Sequence, residues 1–170
     1  VFWGGMPDLN YDTPDVSAEM MKVSKFWLEE VGVDGFRVDA ARYLFADGFV
    51  QQDTDETIQW FEDWRLFYKK VNPEAFTIGE VWTNLQVTAK YGQGMDSLFM
   101  FDLAEDIKNS TFYPDPSRII EEYQDVLTYF PDHNFSTFLS NHDQERVMSL
   151  YEGNVEKAKG FVEKWVKERN

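Results

Sequence analysis

The 170-residue chain contains no cysteine, which removes disulfides and thiolate zinc sites and leaves the redox compartment unread. Basic residues are scarce: 16 Lys and Arg stand against 31 Asp and Glu, a formal net charge of −15 at pH 7. That balance argues against nucleic acid and membrane surfaces as partners and says nothing against a neutral ligand. No apolar run approaches the roughly 20 residues of a membrane-spanning helix, and no signal peptide opens the chain. A soluble chain is expected, with secreted and cytoplasmic locations both open. Val1 is not a natural start, so the sequence reads as a piece cut from something longer. Internal repeats and low-complexity segments are also missing.

Aromatic residues, by contrast, make up 17% of the chain. Its organising stretch is Gly32 to Phe45. Phe36 to Ala40 reads as a short strand, with Arg37 and Asp39 two positions apart and therefore on one face, Phe36 and Val38 on the other. An Arg beside an Asp favours the ionised carboxylate. Such a carboxylate at a strand end suits a nucleophile, and it suits equally an ion pair that orders the strand end.

The rest of the chain alternates. Ser17 is a candidate cap for a helix reaching about Glu30, with Met20, Val23, Phe26, Trp27 and Val31 as its apolar stripe and Gly32 as its stop. Thr54 caps a second helix, Ile58 to Val71, whose Trp60–Tyr68 cluster has core spacing. Strands are expected at Phe76–Val81, Ser97–Phe101 and Phe135–Ser140. Trp82–Gly94 reads as a loop with at most one helical turn, and Ala104–Pro116 as irregular, closing in an Asp115-Pro116-Ser117 turn. Helices are expected from Ser117 to about Thr128 and from Val155 to about Arg169, the latter with Phe161, Val162, Trp165 and Val166 on one side. Helix-then-strand alternation implies an α/β fold with about four parallel strands and flanking helices. In such sheets the chemistry gathers at the carboxyl ends of the strands. Asp39, Glu80 and Asp143 each lie at or just past one of those ends.

Four segments carry a resemblance: Gly35-Phe36-Arg37-Val38-Asp39-Ala40, Gly79-Glu80-Val81-Trp82, Ser140-Asn141-His142-Asp143 and Met6-Pro7-Asp8-Leu9-Asn10. In this order they resemble signature regions of the alpha-amylase family of retaining glycoside hydrolases. The Met-Pro-Asp-Leu-Asn form is similar to the group between oligo-1,6-glucosidases and neopullulanases. The resemblance implies a partial (β/α)8 barrel, with residues 1–16 ending an inserted domain and residues 17–170 forming barrel units about three-and-a-half to seven. It implies Asp39 as nucleophile, Glu80 as general acid and then base, and Asp143 as transition-state stabiliser. It places Arg37 beside Asp39, and His142 and Asn141 on the sugar. Trp82, Tyr43 and Phe45 are candidates for stacking on sugar rings, or for plain packing. Arg42-Tyr43 stands where many members have Lys-His, leaving the aglycone side open. Glu80 has no basic residue within four positions, and Ile78, Val81 and Trp82 are its expected shield.

The resemblance further implies an alpha-glucan or malto-oligosaccharide partner and cleavage of α-1,4-glucosidic bonds through a covalent glycosyl-enzyme intermediate. Transglycosylases and isomerases of the family use the same acids, and a non-catalytic half-barrel scaffold is the rival from another class. No cofactor is required. Calcium is the family's structural ion, with Asp8 and the Tyr43 carbonyl at ligand positions, too few for an ion that takes six to eight oxygens. A barrel typically needs about 250 residues. Weak or no activity in isolation is therefore expected, with open strand edges calling for the missing barrel half or a second copy.

Overall fold

A computed structural model describes residues 5–110 and 117–168 of the chain, without the side chains at 161, 162 and 164–168. The chain folds as two units, Val1–Phe99 and Met100–Asn170.

The first unit opens with α1, Pro14–Phe26, running into one π-helical turn at Trp27–Val31. The helix starts three residues before the expected cap. Pro14 occupies the first turn, where its missing N–H costs nothing and its fixed φ suits a helix. Ser17 caps nothing; its hydroxyl accepts from the Trp60 indole N–H at 3.0 Å. Gly32 ends the helix in the left-handed region, φ 79°, with its N–H on the Trp27 carbonyl at 3.0 Å. The anticipated apolar stripe is only partly covered: Val23, Phe26, Trp27 and Val31 are exposed, while Leu28 and Ser24 are buried. Ser24 earns its burial by accepting from the Trp64 indole at 2.9 Å and donating to the Met20 carbonyl at 2.9 Å.

Strand β1 is Gly35–Val38 and β2 is Phe76–Gly79, separated by helix α2, Asp55–Val71. The Thr54 hydroxyl accepts from the Thr57 N–H at 3.2 Å, so α2 begins at its cap, three residues ahead of the expected start. Phe61, Trp64 and Tyr68 recur at helical spacing and are all buried; they form the packed face of α2. After β2 come α3, Leu85–Lys90, a 3-10 turn at Tyr91–Gln93, and β3, Ser97–Phe99. A full helix thus occupies the middle of the expected loop. The strands are parallel, β1 on β2 and β2 on β3, with Val38 opposite Gly79. Asp96 staples this sheet from outside it. Its carboxylate accepts from the Tyr68 hydroxyl at 2.9 Å, the Thr77 N–H at 3.0 Å and Arg65 at 2.9 Å, and pairs with Lys69 at 3.0 Å.

The second unit holds α4, Phe101–Asn109; α5, Ser117–Tyr129; the short strand β4, Phe135–Ser136; α6, Val147–Leu150; and α7, Val155–Glu168. Helix α4 corrects the reading of irregular chain from Ala104. Phe101, Leu103, Ala104 and Ile107 are buried, an i, i+3, i+6 progression with a helical face. The Asp115-Pro116 part of the expected turn lies outside the described residues, as do the side chains of Phe161, Val162, Trp165 and Val166 and the helix end at Arg169. All four strands are shorter than expected at their carboxyl ends. The acids accordingly stand on loops that leave the sheet rather than on the strands themselves.

Candidate active site

Asp39 is the first residue past β1 and Glu80 the first past β2. The parallel register sets Val38 against Gly79, and two further hydrogen bonds carry the pairing beyond the strands. The Glu80 N–H donates to the Val38 carbonyl at 2.9 Å, and the Ala41 N–H donates to the Glu80 carbonyl at 3.1 Å. Between them Ala40 turns through the left-handed region, φ 43°, which takes the chain out of the sheet. The two acids are thereby neighbours although 41 residues apart in sequence.

Arg37 joins them. Its Nη1 donates to Asp39 Oδ1 at 2.6 Å and its Nη2 to Glu80 Oε2 at 2.5 Å. No basic residue stands within four positions of Glu80 in the sequence; the cation that reaches it is 43 residues away along the chain and in direct contact in space. The environments of the two carboxyls differ sharply. Asp39 is 71% exposed, Glu80 12%. Burial pushes the Glu80 carboxyl above the ordinary glutamate range, and a hydrogen bond to Asp39 and the Asp39 charge push the same way. The Arg37 charge and the Ala40 N–H pull it back without cancelling the rise. A sheltered carboxyl that holds its proton more tightly than usual, beside an exposed carboxylate, is the division of labour that acid-assisted displacement needs.

Of the expected shield, Val81 is buried, Ile78 half-buried, and Trp82 stands 52% exposed. Arg42 and Tyr43 follow Asp39 in a 3-10 turn, with the guanidinium 5.9 Å from the Tyr43 ring centre. Arg42 does not point free toward a ligand. Its Nε and Nη2 grip Asp53 at 2.9 and 2.5 Å, and its Nη1 donates to the Trp82 carbonyl at 2.8 Å. Asp53 and its further donor Tyr91 have no place in the sequence reading, and neither hydropathy nor spacing marks them. Phe45 packs against Tyr11 at 5.7 Å between ring centres, which supports the packing role for it.

In the second unit, Asn141, His142 and Asp143 form a local group. The Asn141 Oδ1 accepts from the Asp143 N–H at 3.0 Å, and His142 Nε2 lies 3.2 Å from Asp143 Oδ2. All are at least part exposed. Among the described residues no group of three or more His, Cys, Asp or Glu is arranged to hold a metal ion. Asp8 is exposed. Among the described residues no helix is long and apolar enough to cross a membrane.

Comparison with known proteins identifies the family and the fold. The family model for the alpha amylase catalytic domain matches residues 1–166. Alpha-amylase 3 of Dictyoglomus thermophilum is 38% identical over 162 residues, covering 93% of this chain and 31% of that protein. A 4-alpha-glucanotransferase of Thermotoga neapolitana is 35% identical over 156 residues, 90% of this chain and 31% of the relative. The crystal structure of an alpha-amylase from H. orenii superposes with a TM-score of 0.80 at 31% identity, over 94% of this chain and 33% of that one. The chain thus spans about a third of the length of these relatives, and its strands and flanking helices are part of a (β/α)8 barrel.

Proposed function

This chain belongs to the alpha-amylase family, and from that membership we propose that it carries the nucleophile and the general acid of a retaining hydrolase of α-1,4-glucosidic bonds in alpha-glucans. The observation that carries the reading is the single guanidinium of Arg37 bridging an exposed carboxylate and a sheltered carboxyl of raised pKa.

The Asp39 carboxylate attacks the anomeric carbon as Glu80 delivers its proton to the departing glycosidic oxygen, leaving a glycosyl ester on Asp39. Glu80, now a carboxylate, takes a proton from water, and the resulting hydroxide displaces Asp39 and restores the starting state. Retention needs the two carboxyls roughly 5–5.5 Å apart, against about 6.5–9.5 Å for inversion; a pair that shares one guanidinium supports the retaining reading. Arg37 keeps Asp39 ionised and aims both groups. Asp143 is assigned to stabilising the oxocarbenium-like transition state, His142 and Asn141 to sugar hydroxyls, and Trp82 and Tyr43 to ring faces.

The 35% identity to a glucanotransferase favours one second reading: a sugar hydroxyl, rather than water, resolves the ester. Product analysis of maltotetraose digests separates the two, since transfer yields longer oligosaccharides and hydrolysis only shorter ones. The chain alone, a third of its relatives' length, turns over starch weakly or not at all; a second copy or the remaining barrel is its expected partner, read by light scattering. The site itself is tested with a glucose-configured epoxide that traps the nucleophile. Intact mass should show one adduct, mapped to Asp39 and absent in Asp39→Asn. An adduct surviving that substitution removes Asp39 from the role, and a scaffold without a formed site takes up no label.

A further inference from the structure

Loop 46–52 follows the 3-10 turn after Asp39 and returns at Asp53, one residue before the Thr54 cap of α2. Its tip is a small two-bonded bridge, Asp47 N–H to the Val50 carbonyl and Val50 N–H to the Asp47 carbonyl, both 2.9 Å. Its neck is closed differently. The Asp53 N–H donates to the Arg42 carbonyl at 2.9 Å, and the two side chains grip each other at the same place. Arg42 is 12% exposed and Asp53 16%. The Asp53 carboxylate accepts from Arg42 Nε and Nη2 and also from the Tyr91 hydroxyl at 2.9 Å, and Tyr91 is wholly buried. The remaining Arg42 nitrogen, Nη1, crosses to the Trp82 carbonyl, two residues beyond Glu80.

We propose that Arg42 and Asp53 are positioning residues for Glu80: the pair locks the chain leaving β2 at Trp82 to the chain leaving β1 at Arg42, and so holds the Glu80 carboxyl in its sheltered place beside Asp39. The backbone alone does not fix that place. Glu80 is tied to its neighbour through its N–H and its carbonyl, and past it a side chain joins the two segments, Arg42 from the Asp39 loop on the Trp82 carbonyl. A guanidinium is needed because one planar fork grips a carboxylate and still has a third nitrogen for a carbonyl, which an ammonium on a flexible stem cannot do. The fixed neck also isolates the acid pair from the loop tip, where Phe49 is fully exposed. The inference rests on Glu80 acting as the acid, but its test does not.

The groups facing Glu80 are Arg37, Asp39 and the Ala40 N–H, none of which the variants alter. The 170-residue chain, labelled with carboxyl-13C glutamate, is titrated by NMR as the parent and as Arg42→Lys, Asp53→Asn, Tyr91→Phe and Gln51→Ala, with Glu80→Gln identifying the resonance. Circular dichroism checks that each variant is folded. Gln51, exposed, donates to the Gly48 carbonyl at the loop tip, 3.1 Å, and is the control. Expected is a Glu80 midpoint that falls toward the ordinary glutamate range in Arg42→Lys and Asp53→Asn, falls less in Tyr91→Phe and stays put in Gln51→Ala. An unmoved midpoint in the folded variants overturns the proposal, as does an equal movement in Gln51→Ala. Should Arg42→Lys and Asp53→Asn fail to fold, Tyr91→Phe, which removes one hydroxyl, decides alone. If the epoxide never labels Asp39, the catalytic reading fails while this titration still stands or falls by itself.

Discussion

Replacing Arg37 with leucine, similar in bulk and without charge, perturbs the bridge between the two acids. Its two contacts lie in different surroundings: Arg37 is 35% exposed, with Asp39 at 71% on one side and Glu80 at 12% on the other. An exposed ion pair contributes about 0–1 kcal/mol, and breaking a fully buried one costs about 3–5 kcal/mol. The Asp39 contact sits at the first limit and the Glu80 contact between the two, so the loss at neutral pH is about 2 kcal/mol. For a chain of this size that lowers the melting temperature by roughly 4–8 °C. The loss depends on pH, and its sign follows from Glu80. Burial already raises that carboxyl's pKa on folding, so the folded state holds the proton more tightly, and stability declines as pH rises from the unfolded value through the folded one. Arg37 opposes the rise; without it the folded pKa climbs further and the decline steepens. The variant therefore lies nearest the parent at about pH 4 and furthest from it at about pH 8. Urea unfolding followed by tryptophan fluorescence measures both, since Trp60 and Trp64 pack in the same unit as the acids. An equal loss at the two pH values, or none at either, refutes the reasoning.

Asp96→Asn should cost about 3 kcal/mol, because it discharges one end of a cluster holding Arg65 and Lys69. Burial pushes the Asp96 carboxyl up, but hydrogen bonds from Lys69, Tyr68, the Thr77 N–H and Arg65 outweigh it and hold the pKa below the ordinary aspartate range. Its contribution is thus present above the unfolded value and lost as pH falls through the folded one; urea midpoints against pH should lose that acid limb in the variant. Gly35→Ala and Gly79→Ala separate two kinds of close approach. A Cβ at Gly35 would lie 1.7 Å from the Phe76 carbonyl oxygen, backbone of the paired strand, whereas one at Gly79 would lie 2.0 Å from the Met95 sulfur. The thioether bends aside and the carbonyl does not, so Gly79→Ala costs about 1–2 kcal/mol and Gly35→Ala roughly 3 kcal/mol or more, read as melting temperatures. Equal costs would mean that backbone clash is not what restricts Gly35.

The four strands were legible because each opens a short, largely apolar run ahead of a turn, Phe76-Thr77-Ile78-Gly79 before Glu80 among them, although each ends earlier than its run suggests. Helix α2 was legible for the same reason, its aromatics recurring at helical spacing up to Asn72-Pro73. What escaped was non-local or masked by composition. Helix α4 begins at Phe101, a single residue after β3 ends, and its Asp102, Glu105 and Asp106 dilute the apolar face that Leu103, Ala104 and Ile107 bury. Ser17 reads as a cap by residue type, yet it serves a tryptophan 43 residues away. Asp96 and Asp53 look like ordinary loop acids, and only the folded chain supplies the cations and hydroxyls they hold. Asn141, His142 and Asp143 are consecutive, and the contacts that join them, the Asp143 N–H on Asn141 Oδ1 and His142 Nε2 beside Asp143 Oδ2, are local ones.

The acid pair depends most on a quantity that no single segment contains, the register of β1 on β2. Side chains alternate along a strand, so a slip of one residue would turn Arg37 from the face of Glu80 to the opposite one and remove the bridge while leaving every motif intact. Glycines bracket the paired stretch, Gly35 opposite Phe76 and Gly79 opposite Val38, and each sits where another group approaches closer than a Cβ allows. Slipping the register would bring a side-chain-bearing residue, Asp34 or Phe36 on one strand and Ile78 or Glu80 on the other, into those contacts. The spacing of the two carboxyls is therefore held less by the acids and their arginine than by two positions that carry no side chain at all.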